Sequence, residues 1–268
     1  MFYFDGTVWK STLLETGSVG HAFSTRLGGA STLPHTASMN VGFGRGDDDK
    51  TVLRNMEILC DLARLPFGGL IVSPQFHTSV VRRVTASDAG DGIERENPSP
   101  SDGFVTDSPG VCFIVRTADC TPILLAGKTD AGRPVVGAAH AGWRGTVGLI
   151  AGELVKGAVS LGAAKESLRA AIGPCIGKCH FEVKEDFIES VSDIRGKDFA
   201  SRHIEKRDGS YFADMVSMNV EILTSFGIAR ENIDVAGQCT VCDPVTYHSH
   251  RATGGVRGTM GSVIGIAE

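Results

Sequence analysis

Short runs of apolar residues alternate with polar segments along most of the chain, and this pattern predicts many β-strands. The predicted strands span residues 70–73, 79–84, 103–106, 111–116, 122–126, 134–140, 168–172, 232–236 and 262–266. Apolar residues at helical spacing predict fewer helices, at residues 48–63, 143–161, 184–191 and 214–226. Because helices separate only some of the strands, this order favours a mixed α/β (α+β) fold, with helices packed on a mixed β-sheet.

The most polar stretch, residues 88–102, is rich in turn residues and predicts a long surface loop. The apolar segments on its two sides have similar character, so we expect a single domain over residues 1–268. The chain start shows no basic segment followed by an apolar core, and no apolar run approaches the ~20 residues that span a bilayer. We therefore expect a cytoplasmic protein that does not contact membranes.

Composition narrows the classes of partner. The net charge of −5 and the isoelectric point of about 5.9 argue against the concentrated basic surface that nucleic-acid binding requires. The 42% of hydrophobic residues and 21% of charged residues are typical of a globular protein rather than a disordered one. The chain has seven cysteines, an odd number, and its sequence shows no secretion signal. We therefore interpret the cysteines as free thiols or metal ligands rather than as a disulfide framework.

Two histidines and one cysteine lie where predicted strands end. His77 follows the strand at residues 70–73, Cys120 follows the strand at 111–116, and His140 ends the strand at 134–140. Imidazole and thiolate ligands suit zinc, and three protein ligands leave a fourth position for water or substrate. The alternative interpretation is a buried thiol and hydrogen-bonded structural histidines, since no local spacing rule supports the set.

Other cysteines and histidines offer weaker metal patterns. Four cysteines form two spaced pairs that would suit a four-thiolate site, although structural thiols are the favoured interpretation: Cys175, Cys179, Cys239 and Cys242. His248 and His250 form a His-x-His pair of the kind that copper oxidases use. The chain has eight histidines and one such pair, which nearly excludes a four-copper laccase.

Two arginines are candidate phosphate ligands. Arg26 precedes Gly28 and Gly29, and Arg144 lies between Gly142 and Gly145. A guanidinium binds phosphate through two parallel hydrogen bonds, and glycines let the backbone approach closely. Arg144 also lies at a predicted helix start, where free amides favour an anion. Ordinary salt bridges are the alternative interpretation for both residues.

Ordered motifs along nearly the whole chain resemble the bacterial laccase-domain proteins, which are named as polyphenol oxidoreductases and now regarded as purine nucleoside phosphorylases. The motifs are HAFSTR at 21–26, SMNVG at 38–42, QFH at 75–77, DGFVT at 102–106, TADCTP at 117–122, HAGWRG at 140–145, GPCIG at 173–177 and SHR at 249–251. The sequence departs from the family at Thr259, where an arginine is usual and Arg257 is nearby, and at Phe76 and His248. These departures concern substrate preference more than the metal site.

The resemblance implies one mixed α/β domain and zinc held by His77, Cys120 and His140. It implies phosphorolysis of adenosine, inosine, guanosine and methylthioadenosine, with some adenosine deamination. Copper is an alternative metal, because members of the family are named as oxidases. The resemblance further implies purine nucleosides and inorganic phosphate as the partners, bound by a monomer or homodimer.

We assign roles to further residues on this basis. Arg26 and Arg144 are expected to hold phosphate against the positive charge that develops on the ribose, and Asn40 is expected to contact substrate. Asp119, next to Cys120, is expected to relay a proton or to orient a histidine ligand.

Three other functions stay open. Cys120 and His140 would also suit a cysteine hydrolase, as nucleophile and base. A polyphenol oxidase that uses copper and a non-catalytic, metal-stabilised binding protein are the remaining alternatives.

Overall fold

A computed structural model describes residues 1–97 and 99–267. These residues form fifteen β-strands and seven α-helices. The strands are β1 Phe2–Phe4, β2 Val8–Ser11, β3 Val19–Ser24, β4 Leu70–Ile71, β5 Val81–Arg83, β6 Gly103–Thr106, β7 Cys112–Thr117, β8 Thr121–Lys128, β9 Pro134–Ala141, β10 Arg169–Ile172, β11 Glu182–Val183, β12 Ile204–Arg207, β13 Ser210–Ala213, β14 Ile233–Val235 and β15 Met260–Ile266. The helices are α1 Asp49–Ala63, α2 Trp143–Val147, α3 Ile150–Ser160, α4 Glu185–Arg195, α5 Lys197–His203, α6 Met215–Ser225 and α7 His250–Thr253.

The strands form two six-stranded mixed sheets and a small third sheet. The first sheet has the order β1-β2-β3-β15-β7-β4, the second has the order β14-β10-β8-β9-β6-β5, and the third has the order β11-β13-β12. Most neighbouring pairs are antiparallel, but β4–β7, β5–β6 and β10–β14 are parallel. The predicted mixed α/β fold is therefore confirmed, with two large sheets where the sequence suggested one.

Alternating side chains place the two large sheets face to face between layers of helix. In β8, Leu124 packs with Phe113 and Ile264 of the first sheet in the layer between the sheets. Its neighbours Ile123 and Leu125 point the opposite way, into the core shared with α3 and α6. Helix α1 covers the outer face of the first sheet. This order of layers buries both faces of the central strands.

Three local features differ from the predicted elements. The predicted helix at 143–161 is two helices, because Leu149 has a left-handed φ of 68° that an α-helix cannot continue. The first three strands were not predicted, since β3 is buried throughout and contains the polar residue His21. The polar stretch at 88–102 begins in a short turn of helix, Ala86–Asp88.

The fold does not test every expectation drawn from the sequence. The single-domain assignment of residues 1–268 stays a prediction, and Pro98 and Glu268 lie outside the described residues. Across residues 1–97 and 99–267, no helix is both long enough and apolar enough to cross a membrane.

Candidate metal centre and cavity

The three predicted ligands converge at one end of the second sheet. The candidate donor atoms of His77, Cys120 and His140 all lie within 4.8 Å of one another. The register of the β8–β9 pair explains part of this, because Pro122 lies opposite His140 and the chain reaches Cys120 two residues earlier. His77 comes from the loop between β4 and β5, and its ring lies edge-on to that of His140, with 4.8 Å between ring centroids.

Asp102 holds two of these ligands in place, and it is fully buried just before β6. Its carboxylate accepts hydrogen bonds from the backbone amides of Phe76, His77 and Thr78 at 2.9–3.1 Å. Its Oδ1 also lies 2.8 Å from Nδ1 of His140. When Nδ1 donates this bond, the other ring nitrogen of His140 is left free to bind a metal.

The electrostatics match this arrangement. Burial alone would raise the pKa of Asp102, but hydrogen bonds from His140 and Thr78 outweigh it and lower that pKa to about 2. Burial alone would lower the pKa of His140, but Asp102 and Cys120 outweigh it and raise that pKa to about 9. Burial and the nearby His140 lower the pKa of His77. An ionised carboxylate therefore stands behind the buried histidine at neutral pH.

The residues present fit a three-ligand metal centre. Two imidazoles and one thiol supply nitrogen and sulfur donors of the kind that zinc prefers. Exposure falls from His77, which is exposed, through half-buried Cys120, to His140, which is 4% exposed. Any side chain at position 142 would collide with the His77 ring, so glycine is required beside the donors. The centre thus has three protein donors on one side and an open side toward a cavity.

That cavity has a volume of about 510 Å³ and is strongly cationic. All three donors line it, together with four arginines and three aromatic residues: Arg45, Arg116, Arg251, Arg257, Phe43, Trp143 and Phe181. Basic groups and aromatic faces in one cavity suit a ligand with an anionic part and a flat, unsaturated part.

Two of the arginines are largely removed from solvent. Arg116 donates from Nη2 to the carbonyl of Ser73 at 2.9 Å, and burial lowers its pKa. Arg257 donates from Nη1 to Thr259 Oγ1 at 2.8 Å, and burial lowers its pKa as well. Among the described residues, the buried Nε of Arg257 has no hydrogen-bond partner. A buried guanidinium with an unused donor calls for an anionic partner.

Asp119 lines the cavity, but it does not orient a histidine ligand. Its carboxylate accepts hydrogen bonds from Thr240 Oγ1 at 2.6 Å and from the amide of Arg251 at 2.7 Å. Its backbone has a φ of 97°, which is unfavourable for a residue other than glycine. Asp119 therefore joins the Cys120 segment to the opposite wall, and the predicted orienting role belongs to Asp102.

The structure does not bring Arg26 into this cavity. The guanidinium of Arg26 donates to the backbone carbonyls of Ala37, Pro244 and Pro34 at 2.8–3.2 Å, beside a separate and smaller cavity. All three of its nitrogens are thus used within the protein. This geometry therefore does not support a role for Arg26 in binding phosphate in the cavity of the metal donors.

Asn40 is fully buried, and its side-chain amide is already satisfied. It donates to Gly42 and Asp47 and accepts from the amides of Gly42 and Thr259. This geometry does not support the expected substrate contact, because Asn40 instead positions Gly42 and Thr259, which line the cavity. Arg144 is exposed just outside the lining, with its guanidinium 4.3 Å from the ring centroid of Trp143.

Asp102 and the four cavity arginines were not predicted as functional residues from the sequence. The position of Asp102 follows from the antiparallel pairing of the predicted strands at 103–106 and 134–140. In this pairing Gly103 lies opposite Ala139, so the preceding residue, Asp102, lies beside His140. The arginines lie in three distant parts of the chain, at residue 45, at residue 116 and at residues 251–257. Only the three-dimensional fold gathers them.

Comparison with known proteins identifies the family of this chain. A family model described as multi-copper polyphenol oxidoreductase laccase matches residues 20–267. A Bacillus subtilis (strain 168) protein named purine nucleoside phosphorylase YlmD is 32% identical over 264 residues, which are 97% of this chain and 93% of that protein. A protein named adenosine deaminase RL5, from an unknown prokaryotic organism, is 29% identical over 238 residues, 87% of this chain and 88% of that protein.

Solved structures share the whole architecture. The Bacillus licheniformis hypothetical protein YfiH superimposes with a TM-score of 0.88 at 28% identity, covering 99% of this chain and 98% of that chain. YlmD from Geobacillus stearothermophilus superimposes with a TM-score of 0.85 at 29% identity, covering 100% and 99%. The two large sheets and their helices are therefore common to these proteins.

Proposed function

The chain belongs to the multi-copper polyphenol oxidoreductase laccase family, and one relative compared above is named a purine nucleoside phosphorylase. We propose on this basis that the chain is a purine nucleoside phosphorylase. The substrates would be adenosine, inosine, guanosine or methylthioadenosine with inorganic phosphate, and the products free base and a ribose 1-phosphate. An accessory adenosine deaminase activity is part of the proposal. The observation that carries it is the presence of three metal donors and four arginines in one cavity of nucleoside size.

The arginines of the cavity supply the phosphate site in this proposal. Arg116 and Arg257 are half-buried and already oriented by hydrogen bonds, so they would bind an anion with little reorganisation. As the glycosidic bond breaks, positive charge develops on the ribose. A phosphate fixed beside the ribose both stabilises that charge and attacks C1′. The exposed Arg144 at the rim, close enough to His77 for its charge to act on that ring, would attract the anion as it enters.

The aromatic residues supply the base site. Phe43, Trp143 and Phe181 line the same cavity as the arginines, and a purine would stack on such faces. Trp143 is itself held by Phe187, with 5.3 Å between ring centroids. A preformed aromatic wall reduces the ordering that binding requires. It also displaces water from the reacting bond.

Zinc is the metal we propose, held by His77, Cys120 and His140. When bound with an open position, zinc polarises an oxygen ligand or activates water, which suits the deaminase activity. The chain's own contribution is to orient His140 through Asp102 and to hold the His77 loop on the same carboxylate. The same donors would accept copper, and metal analysis of the purified protein decides between the two metals.

One alternative function has a specific observation in its favour. Asp102, His140 and Cys120 are arranged as orienting acid, base and thiol, because Asp102 is hydrogen-bonded to His140 and the donor atoms of His140 and Cys120 lie within 4.8 Å of each other. That order suits a cysteine hydrolase. It leaves His77 without a role, whereas the metal centre uses all three donors. A metal-free protein whose amidase activity is lost on alkylation of Cys120 would favour the hydrolase.

The decisive experiment incubates the purified protein with inosine or adenosine in phosphate buffer and measures free base and ribose 1-phosphate. We expect both products from the natural chain. We expect at least a ~100-fold loss in the Cys120→Ala variant, because removing one electrostatic partner from an active site costs about that much. The Cys60→Ala variant is the matched control, since Cys60 is a buried thiol on α1 that does not line the cavity. Absence of product from the natural chain would overturn the proposal.

A further inference from the structure

A second group of sulfur and nitrogen donors lies outside the cavity. Cys179, His180, Cys239 and Cys242 place their candidate donor atoms within 4.8 Å of one another. The Sγ atoms of Cys179 and Cys242 are 3.7 Å apart. Nδ1 of His180 lies 3.3, 3.4 and 3.7 Å from the sulfurs of Cys179, Cys242 and Cys239. One imidazole nitrogen thus faces three thiols at nearly equal distances.

These separations match the edges of a coordination tetrahedron. With zinc–sulfur bonds of about 2.3 Å and zinc–nitrogen bonds of about 2.0–2.1 Å, neighbouring sulfurs lie about 3.8 Å apart and the nitrogen about 3.5 Å from each sulfur. The observed sulfur–sulfur and nitrogen–sulfur distances fall within a few tenths of an ångström of those values. We propose that Cys179, His180, Cys239 and Cys242 form a closed, structural zinc site that is separate from the cavity centre.

The local backbone is built around these donors. The amide of Gly177 donates to Sγ of Cys239 at 3.2 Å, a contact that stabilises a thiolate. A side chain at Gly177 would come within 3.2 Å of the Cys179 sulfur and of Cys239 Cβ. Cys239 and Cys242 are spaced as Cys-x-x-Cys, with the amide of Cys242 donating to the carbonyl of Cys239 at 3.2 Å. The backbone around Gly177 and the Cys-x-x-Cys turn therefore brings the four donors together.

Cys175 is excluded from the site. It is 2% exposed, and it does not belong to the group whose donor atoms all lie within 4.8 Å of one another. The sequence suggested Cys175 and Cys179 as two of the four thiols of a possible metal site. The structure replaces Cys175 with His180, so the donors become three thiols and one imidazole. Such a Cys₃His set is a common composition for structural zinc.

The site would fix one wall of the cavity. Its donors come from two loops, one after β10 and one after β14, which a shared ion would tie together. Arg251 donates to the carbonyl of His180 at 3.0 Å and to that of Glu182 at 3.2 Å. Phe181, next to His180, lines the cavity. The ion would therefore stabilise the wall that carries Phe181 and Arg251, and its binding would release the thiol protons.

Zinc analysis of protein purified under reducing conditions tests this proposal. We expect about two zinc ions per chain in the natural protein, about one in Cys242→Ser and about one in Cys120→Ala. X-ray absorption of the Cys120→Ala protein should show three sulfur ligands and one nitrogen ligand around its remaining zinc. Because that measurement needs no change in the second group, it still holds if Cys242→Ser fails to fold.

Two results would overturn the proposal. One is a natural protein with a single zinc that disappears entirely in Cys120→Ala. The other is a disulfide among Cys179, Cys239 and Cys242 in protein purified without reductant and without exposure to air, detected by mass spectrometry after blocking free thiols. Nucleoside turnover is measured separately, so loss of the second site and failure of the proposed phosphorylase activity give different results.

Discussion

The two groups of His and Cys residues differ in how they are assembled and in what they leave open. The cavity group has two imidazoles and one thiol, supplied by segments that sheet pairing brings together. The second group has one imidazole and three thiols, supplied by two loops. A buried carboxylate, Asp102, supports the first group from behind, whereas the thiols of the second group face His180 directly.

This difference separates a reactive metal site from a structural one. Three donors leave a coordination position open toward the cavity and its arginines, where a substrate can reach it. Four donors with three sulfurs complete a tetrahedron and leave no position for substrate. The number and softness of the donors are therefore the basis on which we propose catalysis for the first group and stabilisation for the second. Substitutions that affect one group and spare the other would test this division.

The largest effect is expected from Asp102→Asn. The amide would present an N–H group to backbone donors that now bond to a carboxylate, and it would weaken the orientation of His140. We expect metal affinity at the cavity to fall about 10–100-fold, with nucleoside turnover falling in parallel. The free energy of unfolding should fall by about 3 kcal/mol, because several charge-assisted hydrogen bonds are lost together. Metal titration and chemical denaturation measure the two effects.

The matched control for this prediction is Asp119→Asn. Asp119 is also a buried carboxylate beside a ligand, but it accepts hydrogen bonds from Thr240 and Arg251 rather than from a histidine. Its substitution should leave metal affinity at the cavity within a few-fold of the natural protein. Equal losses of affinity in both variants would show that Asp102 has no special role in positioning the ligand.

The predictability of the site follows from the same contrast. Ligand chemistry and the family resemblance singled out His77, Cys120 and His140 before any geometry was known. Asp102 required the register of β6 against β9, which no local pattern encodes. The spacing of the cysteines indicated a second group made of cysteines alone, and it did not point to His180. The mixed fold was predictable from alternating apolar runs, whereas the division into two sheets depends on long-range pairing such as that of β15 with β3.

An intermediate effect is expected from Arg257→Gln. Its guanidinium lies in the cavity with an unused, buried Nε, so its removal should weaken phosphate binding. We expect the KM for phosphate to rise about tenfold, since a charge-assisted hydrogen bond contributes about 1.5–3 kcal/mol. Metal content at both groups should be unchanged. Steady-state kinetics at varied phosphate concentration provide the measurement.

Arg26→Gln is the matched control, and it also explains why Arg26 was predicted to bind phosphate. Glycines beside an arginine indicate a closely approaching backbone, but they do not say where the guanidinium points. Arg26 donates to three backbone carbonyls within the protein, so Arg26→Gln should lower stability and leave the KM for phosphate unchanged. A tenfold rise in KM for Arg26→Gln, with none for Arg257→Gln, would reverse the assignment.

The smallest effect is expected from Gly177→Ala, which tests the second group without removing a donor. The added methyl group would press on the Cys179 sulfur and on Cys239 Cβ, each 3.2 Å from the new carbon. We expect zinc affinity at the second group to fall about fivefold, because mild overpacking costs about 1 kcal/mol. The cavity metal should be retained. Gly68→Ala is the control, since no other group lies within 4 Å of a side chain placed there. Gly177→Ala changes only the surroundings of the second group. If this variant instead weakened metal binding at the cavity alone, the two groups would not be independent sites.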